Sequence, residues 1–120
     1  MKTLTSSAPH ITDVSQYSDL ADWGPQPDSL AGQSHSSGRL LFKGPDNSPE
    51  SGVWVCTPGT WKISVPRDEF CHFVEGRVTY RRDDSGEVIE VSPGTCVLFP
   101  AGWTGQAEVT ETIRNLYMLV

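Results

Sequence analysis

The chain has 120 residues, which is enough for one domain with a buried core. Nine Lys and Arg against fifteen Asp and Glu give a formal net charge of −6, which argues against binding to nucleic acid or to an anionic membrane. No apolar run approaches the roughly 18 residues of a membrane span. The first residues lack the apolar region of a signal peptide, so we expect a cytoplasmic protein.

Residues 1–37 show little hydrophobic periodicity and are dominated by Ser, Asp, Pro and Gly. A helical turn or short helix is expected within residues 14–21, because Asp22-Trp23-Gly24-Pro25 would end it. We therefore predict an irregular N-terminal arm over residues 1–37 that packs on the main domain or on a partner subunit. A disordered tail is the alternative for about the first ten residues.

From residue 38 onward, short runs that favour β-structure are separated by turn residues, as in an antiparallel sandwich or barrel. The expected strands are 39–43, 53–56, 61–65, 69–74, 77–82, 87–91, 96–99, 103–109 and 113–120. Eight or nine short strands with almost no helix and no internal repeat predict an all-β jelly roll over residues 38–120.

The three cysteines of the chain are Cys56, Cys71 and Cys96. An odd number without a C-x-x-C pair predicts small buried hydrophobic residues in a reducing compartment, rather than disulfides or a zinc site.

The stretch from Gly94 to Gly105 contains a buried apolar strand and a Pro-x-Gly turn, Pro100-Ala101-Gly102. Gly94, five residues and Pro-x-Gly resemble the second signature of the cupin superfamily. Together with residues 52–59, 68–76 and 111–117, this stretch resembles the small single-domain cupins of the ureidoglycine-aminohydrolase-like family, the DUF861 or Cupin_3 type. The resemblance covers about residues 20–120 and implies a double-stranded β-helix whose barrel is open at one mouth.

The metal ligands that the resemblance would imply are mostly absent. Glu69 and Gly76 match the end of the first cupin signature, but its two His positions fall within residues 62–65, and the third His position holds Gly105. The only histidines of the chain are His10, His35 and His72. Iron, manganese or nickel sites normally require two or three imidazoles beside a carboxylate. We therefore expect no tightly bound metal and no other cofactor.

Strand alternation places Glu69 and Cys71 on one face and His72 on the other. If Glu69 faces the barrel, low dielectric would raise its pKa and suit it to general acid–base work or to pairing with a cationic ligand. Alternatively, Glu69 accepts hydrogen bonds from a neighbouring strand or pairs with a basic residue. The basic candidates are Lys62, Arg67 and Arg114.

Aromatic residues of the predicted strands either line the pocket or fill the core. The candidates for a lining that stacks on a flat ligand are Trp54, Trp61, Tyr80 and Trp103. Trp103 is expected near the mouth. The predicted ligand-binding set is Glu69, Cys71, Trp54, Tyr80, Phe99 and Trp103, with Glu69 as the candidate catalytic group.

These observations predict a metal-independent barrel that binds a small organic molecule, in a homodimer formed through strand or arm pairing. One alternative is an enzyme resembling (S)-ureidoglycine aminohydrolase or a related amine- or carboxylate-handling cupin. It would use Glu69 as an acid/base or as one ligand of a labile metal. A structural or regulatory partner protein is the third reading.

Overall fold

A computed structural model describes residues 8–120. Its strands are β1 (Ala21–Pro25), β2 (Ser29–Ala31), β3 (His35–Lys43), β4 (Glu50–Cys56), β5 (Gly59–Ser64), β6 (Glu69–Arg82), β7 (Val88–Val91), β8 (Cys96–Phe99) and β9 (Thr104–Leu119). Two 3₁₀ turns lie at Val14–Gln16 and Pro45–Asn47. Within the described residues, no helix is long and apolar enough to cross a membrane.

The strands form one curled antiparallel sheet in which β9 is central. The C-terminal half of β9 pairs with β4, its N-terminal half pairs with β5, and both halves pair with β6. Strands β3 and β1 continue outward from β4, and β2 lies outside β5. Strands β7 and β8 lie beside β6. The sheet curls into a half-barrel, which confirms the prediction of an all-β jelly roll.

The strands β6 and β9 bend, and each joins two strands that the sequence predicts as separate. Gly76 has a φ of 84°, and a Cβ there would lie 2.6 to 2.7 Å from backbone atoms of Thr112 and Ile113. Only glycine fits this close approach, which accompanies register shifts between the two strands. The bend brings the rings of Phe73 and Tyr80 within 6.3 Å of each other.

The hydrophobic core lies on the inner side of this bend. It is made of side chains from every second position along the strands. Tyr80 packs edge-on against Phe99 and Trp103, with ring centroids 4.9 and 6.3 Å apart. Of the cysteines, two are buried as predicted, whereas Cys96 is exposed. The reason is alternation, because Val97 and Phe99 take the inward positions of β8.

The segment predicted as an irregular arm contributes two short strands to the sheet. Strand β1 pairs with β3, and β2 pairs with β5. Of the helical turn or short helix expected within 14–21, the structure has the single 3₁₀ turn Val14–Gln16. Arg114 of β9 donates hydrogen bonds to the carbonyls of Val14 and Tyr17 at 3.3 and 2.9 Å. Much of the predicted disordered tail lies outside the described residues, and contact of the arm with a partner subunit stays a prediction.

Candidate functional site

A cavity of about 300 Å³ opens on the inner side of the curled sheet. This volume is at the lower end of the range for small-molecule pockets. The side chains that line it are Trp23, Gln26, Glu50, Trp54, Trp61, Ile63, Glu69, Cys71, Tyr80, Phe99, Asn115, Tyr117 and Leu119.

The register of the sheet places two carboxylates in one row across the cavity. Glu50 of β4 pairs with Leu119 of β9, Leu119 pairs with Glu69 of β6, and Glu69 pairs with Phe99 of β8. Directly paired residues in a sheet have side chains on the same face. The two glutamates and Leu119 are partly exposed, so this row is the outer row of the cavity.

The inner rows of the cavity are more deeply buried. The next row pairs Tyr117 with Cys71, and the row beyond it pairs Asn115 with Trp54 and Phe73. Asn115 is only 1% exposed, and its side-chain oxygen Oδ1 has no hydrogen-bond partner. A buried acceptor without a partner costs about 1–3 kcal/mol. Asn115 is therefore a group that a bound donor would satisfy.

Each carboxylate accepts one hydrogen bond from a neighbour inside the cavity. The hydroxyl of Tyr117 donates to Glu50 over 3.2 Å, and the thiol of Cys71 donates to Glu69 over 3.4 Å. Burial raises the pKa of Glu69, and the nearby charge of Glu50 raises it further, while the hydrogen bond from Cys71 opposes the shift. Glu69 is therefore a carboxyl group that exchanges its proton at a higher pH than an exposed glutamate.

The basic residues proposed as partners of Glu69 lie elsewhere. Arg114 pairs with Glu75 at 3.6 Å, Arg67 donates to backbone carbonyls of Asn47 and Leu119, and Lys62 is exposed. Among the described residues, no Lys, Arg or His lines the cavity, and neither Glu50 nor Glu69 forms an ion pair. Within residues 8–120, both carboxylates therefore lack a compensating positive charge.

The other titratable groups of the cavity are neutral donors. Burial raises the pKa of the Cys71 thiol, and the charge of Glu69 adds to the shift. Burial likewise raises the pKa of Tyr80 and Tyr117. A protonated thiol is a poor nucleophile. Cys71 therefore contributes a hydrogen-bond donor to the site rather than a reactive thiolate.

Five of the six residues in the predicted ligand-binding set line the cavity: Glu69, Cys71, Trp54, Tyr80 and Phe99. The sixth, Trp103, was expected near the mouth but lies in the core, 5% exposed, with its ring 5.0 Å from that of Phe99. A Cβ on Gly105 would lie 2.7 Å from the Trp103 ring. Trp103 thus fills the space that a side chain at position 105 would need.

Several lining residues were not predicted from the sequence: Trp23, Gln26, Glu50, Ile63, Asn115, Tyr117 and Leu119. For the three residues on β9, the signal was available, because period-two alternation runs from Ile113 to Leu119. The arm residues Trp23 and Gln26 lie in a segment without period-two alternation, so the sequence does not predict that they line the cavity. The indole of Trp23 reaches the site by lying over Gly38 of β3.

The residues of the cavity do not fit the metal site that the resemblance would imply. Ile63 faces Gly105 across β5 and β9, where imidazole ligands would be expected. His72 pairs with the exposed Cys96 on the outer face, opposite to Glu69. Within residues 8–120, no group of three or more His, Cys, Asp or Glu is placed to hold a metal ion.

The sequence profile of the EutQ-like cupin domain matches residues 43–117, from the last residue of β3 into β9. This match covers more than half of the chain and contains all of β6, β9 up to residue 117 and most of the residues that line the cavity. The chain belongs to the EutQ-like cupin family. The resemblance seen in the sequence is therefore correct at the level of this family.

Solved structures similar to this EutQ-like cupin support the same fold. The EutQ protein of Clostridium difficile is 20% identical, with a TM-score of 0.61 over 72% of this chain and 68% of that protein. A DUF861-family protein of unknown function from Pseudomonas syringae pv. tomato is 21% identical, with a TM-score of 0.77 over 86% of this chain. The match spans only 45% of that protein. A DUF861-family protein from Thermotoga maritima is 26% identical, with a TM-score of 0.55 over 57% of this chain and 76% of that protein. Among curated proteins, none matches the chain.

Proposed function

We propose that this EutQ-like cupin binds a small organic molecule in its barrel, without a tightly bound metal, and that Glu69 is the polar anchor of the site. The observation that carries the proposal is the cavity of about 300 Å³, in which aromatic walls surround a carboxyl group that no basic residue of the described chain neutralises. Small-molecule sites characteristically combine apolar walls with a few fixed polar groups.

The aromatic walls support binding of an organic ligand. Trp54 and Trp61 pack at 88° with ring centroids 6.1 Å apart, so two differently oriented indoles border the same space. Such rings bind flat or apolar groups through large contact areas. Asn115 adds a buried, unsatisfied acceptor to this space.

A thermal-shift screen of small organic molecules tests the proposal. A ligand present at a hundred times its Kd stabilises the folded state by about 2.7 kcal/mol, which raises the Tm of a domain of this size by roughly 10 °C. Glu69→Gln should abolish this stabilisation and keep the fold. The matched control is Glu87→Gln, the same change at an exposed residue, which should behave like the wild type.

Two results would contradict the proposal. Unchanged stabilisation of Glu69→Gln would remove Glu69 from the site. Failure of every compound, together with native mass spectra that show no retained molecule, would favour the structural or regulatory reading. EDTA should leave ligand-induced stabilisation unchanged, because no step of this proposal uses a metal.

An enzyme resembling (S)-ureidoglycine aminohydrolase, or a related amine- or carboxylate-handling cupin, is the second candidate. The raised pKa of Glu69 favours it, because general acids and bases work best when their pKa is near the operating pH. Turnover of a ureido or amide substrate that falls about 10²- to 10⁴-fold in Glu69→Gln would support this reading. Ligand binding without turnover would leave the first proposal standing.

The homodimer and the cytoplasmic location predicted from the sequence are further parts of the proposal. Strands β1 and β2 are the two ends of the strand order through β9, so the outer backbone groups of each have no strand neighbour among the described residues. Unpaired strand edges are suited to pairing with a second chain.

A further inference from the structure

We propose that the molecule bound in the cavity is a small organic cation, in which an ammonium or guanidinium group is attached to an apolar body. This inference rests on the proposed function, because it names the chemical class of that ligand. Three independent properties of the cavity lead to it: its charge, its hydrogen-bond acceptors and its aromatic walls.

The only charged side chains that line the cavity among the described residues are two carboxylates, Glu50 and Glu69. Glu50 and Glu69 flank Leu119 in the outer row, two strand spacings apart, which corresponds to about 10 Å between their backbones. The described residues provide no basic side chain in the lining. Burying a charge is costly unless a counter-charge accompanies it. A cation between the two carboxylates would supply that counter-charge, whereas an anion would be repelled by both.

The unpartnered polar atoms of the lining are the acceptor Oδ1 of Asn115 and the donor Nε1 of Trp61, and the two carboxylates add charged acceptors. The hydroxyl of Tyr117 and the thiol of Cys71 already point at Glu50 and Glu69, and each carboxylate has further acceptor sites. The Oδ1 atom of Asn115, on a side chain that is 1% exposed, accepts nothing from the protein. An ammonium group has three N–H donors and no acceptor. It therefore matches the two carboxylates better than a neutral carbonyl or an ether does.

The walls of the cavity suit the rest of such a ligand. Trp54 and Trp61 border the inner part, and Trp23 of the arm borders the outer part. Cations are attracted to the faces of indole rings, and apolar groups pack against them. Among the described residues, the lining contains no imidazole and no carboxylate beyond Glu50 and Glu69. Calcium, for example, requires six to eight oxygen ligands, so an organic cation fits this lining better than a metal.

Three nearly isosteric probes test the inference: benzylammonium, benzyl alcohol and benzoate, measured by titration calorimetry on the full chain at pH 7. We expect benzylammonium to bind at least tenfold more tightly than benzyl alcohol, and benzoate not to bind detectably. Glu50→Gln and Glu69→Gln should each weaken benzylammonium binding about tenfold or more, because each replaces a charged hydrogen-bond acceptor by a neutral one. Both should change the binding of benzyl alcohol less than threefold, and Glu87→Gln should change neither.

The outcomes separate this inference from the proposed function. If benzyl alcohol or benzoate binds as tightly as benzylammonium, or if the ligands found in the thermal-shift screen are neutral or anionic, the cation class is wrong and the binding function stands. If screen ligands are cations whose binding depends on Glu50 and Glu69, the inference holds even where benzylammonium is too large. Magnesium, manganese or calcium chloride binding more tightly than any organic cation would overturn it. If no compound binds at all, the proposed function fails as well.

Discussion

Placing a histidine at position 105, where the cupin signature has a metal ligand, should destabilise the barrel rather than create a metal site. A side chain at position 105 would meet the ring of Trp103 at 2.7 Å, and the carbonyl oxygen of Arg81 still more closely. Trp103 is 5% exposed and packs 5.0 Å from Phe99, so it cannot move without breaking up the aromatic core. Gly105→His therefore tests whether the Trp103 ring occupies the space that a side chain at position 105 would need.

The expected loss follows from two contributions. Overpacking a well-filled core costs about 1–3 kcal/mol. Partial expulsion of an aromatic side chain gives up roughly another 2 kcal/mol of buried apolar surface. A total of about 3–5 kcal/mol is a large part of the 5–15 kcal/mol typical of a domain. With a urea m-value of about 2 kcal/mol/M, the unfolding midpoint should fall by roughly 2 M.

Urea unfolding followed by tryptophan fluorescence measures this shift. The matched control is Gln106→His, which places the same side chain at the next, exposed position of β9 and should change stability by less than about 0.5 kcal/mol. The reasoning would be refuted if Gly105→His kept the wild-type midpoint, or if it bound nickel or manganese stoichiometrically.

Three further predictions concern the carboxyl group, the arm and the assembly. The unfolding free energy should fall as pH rises from 4.5, the ordinary pKa of Glu69, through its raised folded pKa, because the unfolded chain ionises first. Parallel pH profiles of wild type and Glu69→Gln in urea titrations would contradict this. Trp23 is 42% exposed, so Trp23→Ala should barely change the urea midpoint but weaken benzylammonium binding several-fold. Leu30→Ala, an exposed arm residue outside the lining, is the control, and an equal loss there would exclude a wall role for Trp23. Light scattering after size-exclusion chromatography should give about twice the chain mass, and a monomer at every micromolar concentration would exclude the homodimer.

The pH dependence of cation binding is set by the protonation of Glu69 and of the titratable groups around it. On β6 these are Cys71 and Tyr80, on β4 Glu50, and on β9 Tyr117. Burial raises the pKa of the thiol and of both phenols, so all three stay neutral near pH 7. Benzylammonium binding should therefore strengthen as pH rises through the pKa of Glu69, and it should weaken again only when the amine loses its proton.

Period-two alternation and turn chemistry predicted the strands, and the resemblance to cupins predicted that they form a barrel. The apolar run before Pro100 predicts a strand at 96–99, which is β8. Alternation from Glu69 correctly directs Glu69 and Cys71 into the cavity and His72 away from it. These predictions succeed because a strand with one buried face leaves each side chain only two directions.

The remaining features depend on contacts between distant segments. Strand β1 has mainly exposed residues and is held by backbone pairing to β3, so its sequence carries no apolar alternation. Trp103 was predicted to line the pocket, because the sequence alone does not show that its ring fills the space at Gly105. Glu50 was missed because its strand was expected to begin at residue 53, whereas pairing with β3 and β9 extends it to Glu50.

The cavity is built from two parts of the protein that differ in how freely their sequence can change. Asn115 and Tyr117 belong to β9, which also carries core residues, so substitutions there alter binding and folding together. Trp23 and Gln26 belong to a peripheral strand and the segment after it, which contribute no residue to the buried core cluster, although Gln26 accepts a hydrogen bond from the buried Ser36. Under the proposed binding function, changes in a few arm residues would alter which molecule fits the cavity, while the strands that hold the carboxylates stay the same.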